Sequence, residues 1–218
     1  MPFGRHLRKK DNMENLMNLV QKYYQLQSLT LDKISFLDGL PALAFRIYLA
    51  NVFWMASNSK WNPFDPESSL QPTIDWFGNS EWGLGMPFPE LLGSLAWATE
   101  YFGAILLVLG LATRWISIPL IVTMIVAIFA VHIDNGWSAV ASSADGEIAS
   151  RVDAARSLLQ ENGNYEWLTA KGGFVILQNG IEFAFTYLIM LLSLLFTGGG
   201  RFLSMDYYLD KHFNPKAV

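Results

Sequence analysis

Residues 89–133, "PELLGSLAWATEYFGAILLVLGLATRWISIPLIVTMIVAIFAVHI", hold two apolar runs divided only by Thr113 and Arg114. A helix that crosses the hydrocarbon of a bilayer needs about 20 largely apolar residues. The runs at 89–112 and 115–133 both meet that length, and a two-residue link makes them a tight antiparallel hairpin. Two further segments qualify on either side, 40–59 ("LPALAFRIYLANVFWMASNS") and 173–197 ("GFVILQNGIEFAFTYLIMLLSLLFT"). Pro41 and Pro89 suit the first turns of their helices, where the missing N–H costs nothing. The expected fold is an all-α membrane protein, a four-transmembrane-helix bundle.

Composition agrees with that reading. Of 218 residues, 52% are hydrophobic and 16% charged, against about 25% charged in soluble domains. Cysteine is absent, which excludes disulfides, thiolate metal sites and cysteine nucleophiles. Phosphate loops, nucleophile triads and nucleic-acid-binding patches are not visible, so no nucleic acid partner is expected.

Lys and Arg set the orientation. Arg5, Arg8, Lys9, Lys10, Lys22 and Lys33 precede the first span, Arg114 sits in the hairpin, and Arg201, Lys211 and Lys216 follow the last span. The loops 60–88 and 134–172 carry Lys60, Arg151, Arg156 and Lys171 among ten acids. The positive-inside rule then puts both termini in the cytoplasm and both loops in the periplasm of a bacterium. The chain divides into a cytoplasmic or interfacial segment (1–38), a membrane domain (39–199) and a cytoplasmic tail (200–218). Residues 13–31 and 146–162 read as amphipathic helices, the first in the inner interface and the second either capping the outer end of the bundle or lying on the membrane surface.

Ionisable residues inside such spans are costly and are functional candidates by default. Glu100 lies on a face of small residues (Gly93, Ala96, Gly103, Ala104, Gly110) that permits close helix approach. Glu182 shares a helical stripe with Asn179, Thr186, Ser193 and Thr197, expected to face the bundle interior. Counting from the outer boundary at 1.5 Å per residue puts both acids about 15 Å deep. Two roles stay open for each: hydrogen-bonded glue within the bundle, or proton carrier. Arg46, Ala50, Phe53, Ser57 and Lys60 align on the first span, with Arg46 towards the cytoplasmic end and Lys60 at the outer end, so neither matches the depth of the acids. Arg46 reads as structural or snorkelling. The eight Trp mostly suit interfacial belts. His132 with Asp134 forms the one metal candidate, since the eight Met and three His show no ligand spacing.

Three stretches together resemble the DoxX family of small bacterial membrane proteins: Arg46 followed by "FWMASNSKW", "ELLGSLAWATEYFGAILLVLGLATRW" with its mid-helix Glu, and "GGGRFLSMDY" after the last span. The motifs "NPFD", "DWFGNSEWGLGMPFPEL", "HIDNGWSAV" and "ILQNGIEFAFTYLIMLL" are similar to a subgroup called HvfX, whose genes accompany maturation of copper-binding ribosomal peptides. The resemblance implies a four-helix fold in the bacterial inner membrane. The family takes its name from a subunit of a thiosulfate:quinone oxidoreductase, which makes a redox-linked role one expectation. On that expectation Glu100 and Glu182 carry protons, and Trp54, Trp97, Tyr101, Phe185, Asn179, Arg46 and Lys60 line or border a quinone site. Without a haem, flavin or cluster motif, a partner redox protein must carry the electrons. The other expectation is non-enzymatic: a docking or transport helper in copper-peptide maturation, using the loop 61–88 and the helix 146–162, with copper as its metal. Self-association within the bilayer is a further expectation.

Overall fold

The computed structural model describes residues 3–142 and 144–214; Lys216, counted above in the charge balance, lies outside them. The elements, in order, are α1 (Phe3–Ile34), α2 (Leu40–Lys60), α3 (Gln71–Gly78), α4 (Pro89–Leu109), α5 (Thr113–Ala127), α6 (Gly146–Asn162), α7 (Tyr165–Thr169), α8 (Glu182–Thr197) and α9 (Met205–Phe213). A π-helical turn at Ile128–His132 and a 3-10 turn at Ile133–Asn135 extend α5. Beyond helices, one isolated antiparallel bridge, Val140 to Leu177, is formed among the described residues.

Four helices form the bundle: α2 packs on α4, α4 on α5, α5 on α8, and α8 back on α2. Their shared core holds Leu49 and Phe53 from α2, Leu107 from α4, Leu120 from α5, and Leu191 and Leu194 from α8, all fully buried. The buried face of α4 is the small-residue face, Gly93, Glu100, Gly103, Ala104 and Leu107. At Gly103 an added Cβ would stand 3.0 Å from Leu120 Cδ2, so glycine sets the close approach of α4 to α5. The outward faces are apolar as well: Phe102, Val122, Phe129, Ile189 and Phe196 are exposed. A bundle apolar on both its inner and outer sides is built for lipid rather than water. Three helical stretches, Leu40–Lys60, Pro89–Leu109 and Thr113–Asn135, are long and apolar enough to cross a membrane. The fourth bundle helix, α8, is apolar but has 16 residues, about 24 Å at 1.5 Å per residue.

Because both intervening loops meet at one end of the bundle, that end is called the loop end; the α4–α5 turn and α9 mark the opposite, hairpin end. At the hairpin end Gly110 closes α4 in the left-handed region (φ 59°), with Leu111 N–H donating to Leu106 O at 3.0 Å, a Schellman-type stop. Pro41 and Pro89 occupy first turns as expected, and α6 spans 146–162 as its periodicity predicts. The short helix α3, within the loop 60–88, was not anticipated.

The expected span 173–197 is corrected at its start. Residues 176–182 run back along 136–141 and exchange backbone bonds with them: Ala141 N to Ile176 O (3.0 Å), Gln178 N to Ala139 O (3.0 Å), Gly180 N to Ser138 O (2.9 Å) and Glu182 N to Trp137 O (3.0 Å). The Asn-Gly pair explains the break, since Asn tolerates the left-handed region and Gly permits close backbone approach. Asn179 adopts φ 58°, and a Cβ on Gly180 would lie 2.6 Å from both Gly136 O and Ser138 O.

Candidate functional site

Lys60 and Glu100 form the most buried ion pair among the described residues. Lys60 Nζ lies 2.7 Å from Glu100 Oε2, with side chains 21% and 5% exposed. The expected mismatch in depth disappears because side chains tilt towards the N-terminus of their own helix. The N-termini of antiparallel α2 and α4 lie at opposite ends, so Lys60 hangs down from the loop end while Glu100 leans up. Lys60 Nζ also reaches Ala56 O, one turn back along α2, at 3.4 Å. Isolating either charge there would cost several kcal/mol, so each needs the other.

An aromatic residue follows each member of this pair in the chain, Trp61 after Lys60 and Tyr101 after Glu100. Trp61 and Trp97 meet at 4.5 Å between centroids, Trp97 stacks on Tyr101 at 5.1 Å, and Tyr101 stacks on Trp54 at 5.4 Å. Trp97 is locked in place by donating its indole N–H to Trp61 O at 2.8 Å. Trp54 closes one end of a groove of about 490 Å³ between α2 and α4, lined by Ile47, Ala50, Asn51, Ala104 and Ile105 among others. The groove is apolar apart from Asn51. Its amide makes one long contact, to Met55 Sδ at 3.8 Å. The stack therefore runs from an apolar groove to Trp61, the residue that follows Lys60.

The other candidates gather elsewhere. Glu182 is the first residue of α8 rather than a mid-span group, and its Oε2 accepts the Ala139 N–H at 2.9 Å. The expected level with Glu100 in mid-membrane is thus overturned, because the helix starts nine residues later than the apolar run. The stripe expected to face inwards is also corrected. Thr186 and Thr197 are exposed, whereas Ala184, Leu191 and Leu194 are buried. Thr186 donates to Glu182 O and Thr197 to Ser193 O, both at 2.8 Å, which lets hydroxyls sit on an outward face without an interhelical partner. Asn179 O accepts from His132 Nδ1 (2.9 Å) and Asn135 Nδ2 (3.3 Å), tying the π-turn to the start of α8. Phe185 meets Trp137 edge-on at 5.6 Å, away from the Trp54–Tyr101 stack. His132 and Asp134 gain no third ligand: no group of three His, Asp or Glu side chains converges among the described residues.

Arg46 is fully buried at the hairpin end. Its guanidinium donates to Phe202 O (2.8 Å) and Leu203 O (3.0 and 3.1 Å), holding the tail after α8 against the end of α4. Ser204 Oγ and Asp206 N both donate to Gly110 O, at 3.1 and 2.9 Å. The Asp206 carboxylate caps α5 by accepting from Ala112 N (2.6 Å) and Thr113 N (2.8 Å). A Cβ on Gly110 would fall 1.8 Å from Arg46 Nη1. Arg46 is thus a clamp, neither snorkelling nor facing the groove. Sequence reasoning missed Ser204 and Asp206, which tie the same tail to Gly110 and the start of α5. Their signal lay in "GGGRFLSMDY", but nothing local says that this tail folds back 94 residues along the chain onto Gly110.

Of the residues singled out in the sequence, the fold brings together Lys60, Glu100, Trp54, Trp97 and Tyr101. It places Glu182, Asn179, Phe185, His132 and Asp134 at the loop end, and Arg46 at the hairpin end. A DoxX family domain is found over residues 42–133, the stretch that holds all but the first two residues of α2, all of α4 and α5, the groove and the ion pair. No curated protein and no solved structure gives a significant match.

Proposed function

We propose that the chain is a DoxX-like inner-membrane subunit that handles protons for a quinone-class substrate while a partner protein handles the electrons. In this reading α2, α4, α5 and α8 are four spans. The hairpin end faces the cytoplasm and the loop end the periplasm, following the excess of Lys and Arg. The observation that carries the function is the double membership of Trp54, which walls the lipid-side groove and begins the stack that ends at Trp61, next to Lys60 in the chain.

The residues fit such a molecule. A groove of this size lies in the usual range for small-molecule sites. A flat, electron-poor ring stacks on indole and phenol faces, and Ile47, Ala50 and Ile105 offer apolar wall to a hydrocarbon tail. Reduction of a quinone to the quinol adds two electrons and two protons. The Asn51 amide, the one polar side chain of the groove, can donate a hydrogen bond to a carbonyl oxygen. Glu100, nearly sealed from water, can accept a proton from Lys60 and pass it on, and the part-exposed Lys60 connects it to the loop end. General acid–base transfer of this kind needs a positioned group and a route to solvent. Extraction of the protein purified in mild detergent should yield about one quinone per chain. Absence of native quinone, together with no binding of an added short-tail benzoquinone, would refute the reading.

A second reading rests on the exposed aromatic rings at the loop end, Phe64, Trp82 and Trp167. There the HvfX-like chain would dock a maturing copper-binding peptide, with His132 offering its Nε2 as a single imidazole donor. Cross-linking from residues 61–88 to the peptide or its maturation proteins tests it, and the absence of any adduct would count against it.

A further inference from the structure

A cavity of about 780 Å³ opens at the hairpin end between α2, α9 and the glycine turn Gly198–Gly200. It is separate from the groove and from the Lys60–Glu100 pair. Its lining includes two arginines, Arg114 and Arg201, and three aspartates, Asp38, Asp206 and Asp210. Most of these charges are already committed. Arg201 pairs with Asp38. Asp206 spends both oxygens on the first N–H groups of α5.

Two opposite charges are left over. Arg114 uses only Nη1, which donates to Leu195 O (3.2 Å) and Phe196 O (2.6 Å) at the open end of α8. Its Nε and Nη2 find no acceptor among the described residues and lie beside Gly198, where a Cβ would stand 3.1 and 3.3 Å from them. That edge of a guanidinium is the one that grips a phosphate with two parallel hydrogen bonds. Asp210 is exposed on α9, with no side-chain partner among the described residues. A free phosphate meets no net positive charge in this lining. A zwitterion matches it, with its phosphate on Arg114 and a primary ammonium on Asp210.

We infer that the cavity binds a phosphoethanolamine group, supplied by phosphatidylethanolamine of the surrounding bilayer. Trp115 lines the cavity and is exposed, as are Phe196 and Leu203, which are within two residues of the lining Thr197 and Arg201. Indole rings favour the headgroup level of a membrane, and these apolar side chains offer surface to the acyl chains. The lipid would then bridge α5, α8 and α9 at the end of the bundle.

The test uses the full chain in mild detergent, mixed with equal amounts of phosphatidylethanolamine and phosphatidylglycerol and freed of loose lipid by gel filtration. Bound lipid is counted by mass spectrometry. The wild type should enrich phosphatidylethanolamine by about tenfold, the value of one charge-assisted hydrogen bond to Asp210. Asp210→Asn should bring the ratio close to one, and Arg114→Gln should lower retention of both lipids. No preference in the wild type, or an unchanged ratio in Asp210→Asn, would overturn the site. If Arg114→Gln loses helix content, Asp210→Asn still decides, because Asp210 holds nothing in the fold. Displacement by an equal concentration of soluble glycerophosphoethanolamine would overturn the lipid as the source, and resistance to it supports the lipid.

Discussion

Replacing Lys60 by Met removes the ammonium 2.7 Å from Glu100 and leaves a carboxylate 5% exposed with no cation against it. Breaking a buried pair from one side costs about 3–5 kcal/mol, because the remaining charge is uncompensated. At roughly 2–4 °C per kcal/mol for a chain of this size, the melting temperature should fall by about 6–20 °C. The double variant Lys60→Met/Glu100→Leu replaces the pair with apolar groups of similar volume, which is often neutral or stabilising. It should recover most of the loss, so the coupling energy is large and of opposite sign to the single effects. Thermal unfolding in detergent, followed by circular dichroism for wild type, both singles and the double, gives the four values required. Additive losses in the double variant would refute the argument, because they would mean that the two side chains do not compensate each other.

Gly110→Ala places a Cβ 1.8 Å from Arg46 Nη1 and forces a left-handed φ on alanine. It should destabilise by more than about 3 kcal/mol, and a folded variant of wild-type melting temperature would contradict the clamp. Arg46→Lys keeps the charge but loses the fork that serves two carbonyls; proteolysis of the tail after α8 should accelerate in this variant. Glu182→Gln keeps an acceptor for the Ala139 N–H and should shift stability by less than about 1 kcal/mol. Quinone binding should be unchanged in it, which separates Glu182 from Glu100. The chain has no cysteine, so Ser80→Cys and Ser150→Cys supply clean labels; both should react with an impermeant maleimide from the periplasm, and protection of either would reverse the orientation.

The sequence made the bundle readable because lipid exposure and core packing both demand apolar helices, and the Thr113–Arg114 link left one way to join two of them. The small face around Glu100 was legible for the same reason, since glycine and alanine at helical spacing mark close approach. Glu182 was misplaced because an apolar run does not show where its helix begins. Gln178, Asn179 and Gly180 carried that information, and their pairing with 136–141 is a contact between distant segments. The Lys60–Glu100 pair was hidden for a geometric reason: Cα depth was compared where side-chain reach, set by helix direction, decides. The Arg46 clamp was hidden because its acceptors are backbone carbonyls, which leave no mark in residue types.

A photoreactive short-tail quinone tests the central claim most directly, with its adducts located by mass spectrometry of the full chain in vesicles. Adducts should fall on the groove between α2 and α4, at Trp54, Ile105 and their neighbours, and should vanish when excess unlabelled quinone competes. Labelling confined to the outer faces of α5 and α8, or unaffected by competitor, would contradict the account.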